Sequence, residues 1–352
     1  MKFLTNIWYC AALSEEVVHK PLRRLICNEP IVMFRTESGK ASALEDRCAH
    51  RQAPLSLGRV VGEQIQCMYH GFMFDCSGKC TMVPHQENAP GNAKVKSYAA
   101  VERWGYVWIW WGDPASADVG RIPELPWTQD AAQRTVYFRF HVKANYQLMA
   151  DNLLDVSHTD FLHRASIGSQ TGMKDQTDSS TVEMSSRTEG DRVHFVRRLR
   201  NTRLGPVAAR WAGTTELVDR SNTLMWEAPN TIHSVLEFQN AHAHNTVHME
   251  HIMTPETATS THYFMNWTRD FGLDNVSYPT DADVQSEQTA VVCGEDIPMV
   301  EAQQANLQSF PEVTDVAARQ DQFIIQVHRQ LVSRYRDIAA ELPSELSRSG
   351  AR

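Results

Sequence analysis

Cys48-Ala49-His50 is followed, after sixteen intervening residues, by Cys67-Met68-Tyr69-His70. Nothing else in the chain restricts its fold as much. Two thiolates and two imidazoles in such short paired spacings fit tetrahedral zinc, or an iron–sulfur cluster with two Cys on one iron and two His on the other. Four unconnected Cys and His residues serving as core or surface would not need so tight a pattern. The chain has 7 cysteines, an odd number in a long sequence, and two of them sit in His-paired spacings. Metal binding explains that usage better than a disulfide framework.

Each pair contributes one Cys and one His, and the flanking residues are Arg51 to Pro54 with Gly58 on one loop and Gly71 on the other. This pattern closely resembles Rieske [2Fe-2S] domains, with Cys48, His50, Cys67 and His70 as the implied ligands. Rieske proteins of respiratory and photosynthetic chains carry two further bridging cysteines, where this chain has Ala53 and Met68. Without the bridge, a potential toward the low end of the Rieske range of about −150 to +300 mV is expected. Cys76 and Cys80 in CSGKC have no neighbouring His and read as structural or incidental thiols.

At 352 residues the chain exceeds one ordinary core, so two domains are expected. A net charge of −8 leaves no basic stripe for nucleic acid or an anionic membrane, and no apolar run is long enough to span a bilayer. The N-terminus reads as a folded first segment of a cytoplasmic protein. Residues 23–47 alternate as strands around a turn at Glu37–Lys40, and YVWIWWG, residues 106–112, carries the next strand signal. Periodicity then disappears in GDPASADVGRIPELPW, which places the domains at residues 1–115 and 116–352. The second domain opens with a strand running into a helix through Leu148, Leu153, Leu154, Phe161 and Leu162. Residues 181–270 alternate as an antiparallel sheet, and helices follow around 283–308 and 315–341.

An electron carrier would need only the first domain, so the rest must have its own chemistry. His158 and His163 are five residues apart, about 140° on a regular helix, so joint ligation requires the helix to bend or end between them. Two imidazoles and one carboxylate form the facial triad of non-haem Fe(II) oxygenases, which leaves positions open for O₂. The segment from Asn152 through Asp155, His158 and His163 resembles the mononuclear-iron motif of Rieske non-haem iron oxygenases. The resemblance implies a distant third ligand at Asp296, with Glu295 as the alternative. Pro298 departs from that pattern, and a kink is expected just after the ligand, with Ile297 biased away from helix. The resemblance also implies a ring-shaped homotrimer in which one subunit's cluster approaches its neighbour's iron. Asp155 would there accept hydrogen bonds from His70 of one chain and His158 of the next.

Over nearly its whole length the chain is similar to the oxygenase components of vanillate O-demethylase, dicamba demethylase and toluenesulfonate methyl-monooxygenase. That resemblance implies an α+β protein: two small antiparallel sheets carrying the cluster, then a helix-grip catalytic domain, an antiparallel sheet around a helix. It implies O₂-dependent O-demethylation or methyl hydroxylation of a substituted aromatic acid. Electrons would come from NAD(P)H through a separate flavin- or ferredoxin-type reductase, since no flavin or dinucleotide motif is present here. A cis-dihydroxylating ring dioxygenase and a stand-alone Rieske electron carrier are the competing readings. His251, just before TPET, is carried over as a substrate contact; Asn230 and Trp226 are weaker pocket candidates. His242, His244 and His248 share a strand face, and at least two should simply be exposed.

Overall fold

The computed structural model describes residues 3–169, 182–228, 231–242, 244–275 and 277–334. Among them the chain forms two compact units, one of Phe3–Glu124 with Thr254–Thr257, the other of Leu125–Met253 with the residues from Ala258 onward. No helix among the described residues is long and apolar enough to cross a membrane.

The first unit strings together β1 (Ile7–Leu13), β2 (Leu22–Ile26), β3 (Glu29–Arg35), β4 (Ala41–Glu45), β5 (Arg59–Val61), β6 (Gln64–Gln66), β7 (Met73–Asp75), β8 (Cys80–Met82), β9 (Ser97–Tyr98), β10 (Ala100–Arg103) and β11 (Tyr106–Trp111). These make three sheets, ordered β1-β11-β10, β2-β3-β4-β9 and β5-β6-β7-β8, rather than the two expected. The extra division arises at Ala99, where the chain leaves β9 for β10 and the Ala99 carbonyl accepts from the Trp110 N–H instead of continuing one ladder. β11 is buried on both faces. Two of its three indoles donate to backbone, Trp108 to the Arg103 carbonyl and Trp110 to the Asp113 carbonyl. The short β5–β8 meander holds the two Cys/His loops, one between β4 and β5 and the other between β6 and β7. Val32, Phe34, Leu55, Ile65 and Phe74 pack beneath them.

The second unit comprises β12 (Arg134–Val142), α1 (Tyr146–Leu154), β13 (Val182–Glu189), β14 (Arg192–Thr202), α2 (Pro206–Ala212), β15 (Val218–Glu227), β16 (Thr231–Gln239), β17 (His244–Thr257), β18 (Ser260–Arg269), α3 (Asp281–Val291), α4 (Ile297–Ser309) and α5 (Gln322–Arg334). The strands form one antiparallel sheet in the order β12-β18-β17-β16-β15-β14-β13. Strict alternation in β15, where every second residue from Val218 is buried, gives that sheet one packed face. Helix α1 lies against β16, α4 and α5, the helix-grip arrangement. His328 on α5 ties the C-terminal helix to α1 through Asp151 at 2.8 Å.

Three further expectations need correction. The helix expected to reach Leu162 ends at Leu154: Asp155 has φ −90° and ψ 83°, and its carboxylate accepts from the Ser157 N–H at 2.9 Å, starting a 3-10 turn over Val156–Asp160. A short acidic side chain competes here with the helical ladder for backbone donors. Ile297 is helical after all, with φ −57° and ψ −47°. Pro298 falls in the first turn of α4, where its missing N–H costs little, directly after a π turn over Val292–Asp296. The last helix begins at Gln322 rather than near residue 315, after a 3-10 turn over Arg319–Asp321. The part expected beyond residue 334 lies outside the described residues.

Candidate active site with two metal centres

The two Cys/His loops repeat one backbone design. The Cys48 N–H donates to the Ala53 carbonyl and the Gln52 N–H to the Cys48 carbonyl; the Cys67 N–H donates to the Phe72 carbonyl and the Gly71 N–H to the Cys67 carbonyl. In each loop the residue four past the Cys has left-handed backbone, Gln52 at φ 59° and Gly71 at φ 77°. The design turns both thiols inward, Cys48 and Cys67 each being 2% exposed, and leaves His50 and His70 at the surface. Those imidazoles meet edge to face with centroids 4.7 Å apart, and His50 stacks on Phe72. Burial, and then the neighbouring Cys67 thiol, push Cys48 up to about 11. A cation beside the Cys48 sulfur would offset that penalty on its thiolate. Inward sulfur and outward nitrogen suit a [2Fe-2S] cluster with one iron on each side.

The second centre draws on three elements. His158 sits in the 3-10 turn after α1, His163 in the following turns, and Asp296 at the end of the π turn. The two Nε2 atoms are 3.1 Å apart, and Asp296 Oδ1 lies 3.0 Å from that of His163 and 3.5 Å from that of His158. Donors about 2.1 Å from one ion at right angles stand about 3.0 Å apart, so the spacing of these three would suit one shared ion, which His158, His163 and Asp296 would hold. Asp296 Oδ1 is buried without a hydrogen bond of proper geometry, as an atom aimed at a metal would be. The break in the helix satisfies the demand that the five-residue spacing made. Burial opposes the charge on Asp296, yet the two imidazoles hold its carboxyl down to about 2.

Each imidazole is oriented from behind. His163 Nδ1 donates to Glu295 Oε2 at 2.7 Å, and Ser166 Oγ donates to the same oxygen at 2.9 Å. Glu295 therefore stands behind the His163 ring rather than among the three converging donors, a placement its adjacency to Asp296 did not reveal. His158 Nδ1 bonds the backbone carbonyl of Asp155, while the Asp155 carboxylate caps the turn. The expected bond to His158 is thus made by the main chain of Asp155, because the 3-10 turn puts the ring three residues on over that carbonyl. Among the described residues no hydrogen bond joins Asn152 to the triad, and its Oδ1 is buried without a hydrogen-bond partner.

His251 is 7% exposed, and its Nδ1 lies 2.7 Å from the Tyr263 hydroxyl. Tyr263 carries no sequence signal of its own. Burial pulls His251 down to about 3, despite the opposing pull of Asp296. A folded value below the ordinary 6.5 means the neutral ring stabilises the protein above pH 6.5, and that stability is lost as pH falls toward 3. His251→Gln should accordingly lose stability less steeply than wild type, by about 1.4 kcal/mol per pH unit between roughly pH 6 and 4. Denaturant titrations at several pH values test this; equal slopes in the two proteins would refute it. Trp226 is fully buried, His242 and His244 are exposed as expected, and His248 stacks on Trp127; Asn230 lies outside the described residues.

Both centres and the sheet-and-helix frame define a Rieske non-haem iron oxygenase, and the chain belongs to that family. Residues 7–99 match the Rieske [2Fe-2S] domain, and residues 142–336 match the vanillate O-demethylase oxygenase C-terminal domain. The dicamba O-demethylase oxygenase component of Stenotrophomonas maltophilia is 37% identical over 314 residues, 86% of this chain and 88% of that one. A vanillate O-demethylase oxygenase subunit from a Pseudomonas species is 34% identical over 326 residues, 88% of each. The crystal structure of dicamba monooxygenase bound to 3,6-dichlorosalicylic acid superposes with a TM-score of 0.88 at 32% identity, covering 97% of this chain and 100% of that one. This chain is an oxidoreductase whose cofactors are a Rieske [2Fe-2S] cluster and Fe(II).

Proposed function

We propose that the chain is the terminal oxygenase of a multi-protein system. It inserts one oxygen atom of O₂ into a methyl or methoxy carbon of a substituted aromatic acid, with electrons from NAD(P)H delivered by a separate flavin- or ferredoxin-type reductase. The carrying observation is the convergence of His158, His163 and Asp296 on one face of a site, in a chain that also holds the four cluster residues. Relatives named as dicamba and vanillate O-demethylases and as a toluene-4-sulfonate monooxygenase support the substrate class.

Bound iron supplies the activation of O₂. Glu295 and Ser166 keep His163 turned toward it, and the Asp155 carbonyl does the same for His158. His251, neutral and braced by Tyr263, offers a hydrogen bond to a polar substituent of the substrate. For a methoxyarene, oxygen enters the methyl carbon and the hemiacetal releases formaldehyde and a phenol. The second oxygen atom leaves as water, consuming two electrons and two protons.

In this reading the working form is a homotrimer in the cytoplasm. Met68 and Tyr69, beside His70, and Phe161, beside the iron turn, expose apolar surface that a neighbouring subunit would cover. The Asp155 carboxylate, which accepts from the Ser157 N–H, would there also accept from His70 of the adjacent chain.

The test is a single turnover that needs no partner. Protein reduced anaerobically with dithionite receives labelled O₂ and a series of methoxy- and methylbenzoates. Formaldehyde with a phenol, or a singly labelled benzylic alcohol, is expected. A doubly labelled cis-diol would replace this reading with ring dihydroxylation, and absence of any oxygenated product would leave an electron carrier.

A further inference from the structure

Beyond the metal ligands, the second unit buries two arginines against one carboxylate. Arg197 on β14 and Arg220 on β15 are 4% and 3% exposed. Cross-strand register pairs Arg197 with Asn222, two residues from Arg220, so both arginines lie on the same sheet face. Each grips the segment that carries the iron-site histidines. Arg197 donates to the Val156 carbonyl at 3.3 Å and to the Asp160 carboxylate. Arg220 donates to the Ile167 carbonyl at 2.8 Å, to Ser169 Oγ at 3.3 Å and to Asn222 Oδ1 at 3.2 Å, all neutral acceptors.

The charges do not balance. Asp160 serves Arg197, and no carboxylate among the described residues pairs with Arg220. A buried, unpaired guanidinium is costly, and neutral acceptors recover only part of that cost. Burial, and next the repulsion from Arg197, pull Arg220 down to about 10. Polar capacity is also left over: Arg197 Nε and Asp160 Oδ1 are buried with no hydrogen-bond partner. If the arginines only pinned the turn, Arg197 with Asp160 would suffice and the second positive charge would be a pure penalty.

We infer that Arg220, backed by Arg197, forms the anion-binding end of the substrate site and holds the carboxylate of the aromatic acid. The missing negative charge then arrives with the ligand, and Nη2, which has no partner among the described residues, is the free edge of the guanidinium for a charge-assisted bond. The Phe238 ring, 6.0 Å from the Arg220 guanidinium carbon, offers an apolar wall beside it. This assignment rests on the oxygenase reading above and supplies its selectivity: acids over their neutral analogues.

The experiment measures calorimetric binding of 3-methoxybenzoate and of its neutral isostere 3-methoxybenzamide to the anaerobic, iron-loaded protein, alongside iron content. Wild type should prefer the acid by at least about 30-fold. Arg220→Gln should lose that preference while binding the amide as before and keeping its iron. Arg220→Lys, which keeps the charge without the fork, should retain part of the preference. Equal binding of acid and amide by wild type, an undiminished preference in Arg220→Gln, or joint loss of both ligands and iron in both variants would overturn the assignment. Arg220-dependent acid binding with no oxygenated product from either compound would sink the oxygenase reading and leave the anion site standing; demethylation of the amide with no acid binding would do the reverse.

Discussion

Asp296→Ala is expected to purify with two irons and two acid-labile sulfides per chain, against three irons in wild type, and to lose at least about a thousandfold in turnover. Asp296 is the one anion among the three converging donors, and its Oδ1 is the atom that lies within 3.5 Å of both imidazole nitrogens. Glu295, next to it, cannot take its place. Its Oε2 already accepts from His163 and Ser166, and the π turn directs it behind the ring. Glu295→Gln should therefore keep the ion and weaken its affinity by about 10- to 100-fold, as loss of a bond behind a ligand does. The visible spectrum of the cluster should be the same in both variants. Three irons in Asp296→Ala, or complete loss in Glu295→Gln with Asp296 intact, would exchange the two roles.

A single methyl group at Gly58 should cost the chain its cluster. A Cβ there would lie 2.2 Å from the Gln66 carbonyl oxygen and 2.8 Å from that of Leu55, both main-chain atoms with no freedom to turn aside. Gly58 follows the short turn after the first Cys/His loop, and Gln66 immediately precedes Cys67. Relief of the clash must push the two loops apart, and four ligands on two loops tolerate little separation. Gly58→Ala is expected to lose more than half of its acid-labile sulfide and about 2 kcal/mol or more of stability in the first unit. Gly62→Ala, where a Cβ meets nothing within 4 Å, is the control, although its φ of 60° adds a small strain of its own. Full sulfide in Gly58→Ala would show that the loops tolerate the displacement.

Legibility along the chain followed the range of the interactions involved. The cluster motif could be read because each half is local: a Cys, its partner His and the left-handed position four residues on lie within one turn, and the chemistry admits few residue types. His158 and His163 could be read as a pair for the same reason. The end of helix α1 at Leu154 could not, because apolar spacing through Phe161 and Leu162 mimics a continuing helix. The Asp155 cap is what stops it. Phe161 turns out 70% exposed, so part of that periodicity never faced the core. Pro298 misled in the opposite sense, since its effect depends on where the helix restarts after the π turn.

The sequence by itself determined the two kinds of metal chemistry and the α+β order of an all-β first domain before a second of sheet and helices. These depend on residue type and short spacing, which folding cannot alter. Only the tertiary structure decided that Glu295 braces His163 while Asp296 Oδ1 converges with both imidazoles, that the main chain of Asp155 rather than its carboxylate holds His158, and that Asp160 pairs with Arg197 and leaves the neighbouring Arg220 on neutral acceptors. Each of those outcomes joins residues 37 or more positions apart, or turns on which way a group points at a helix end. Packing sets both, because a buried polar group must find its partner wherever the fold brings one.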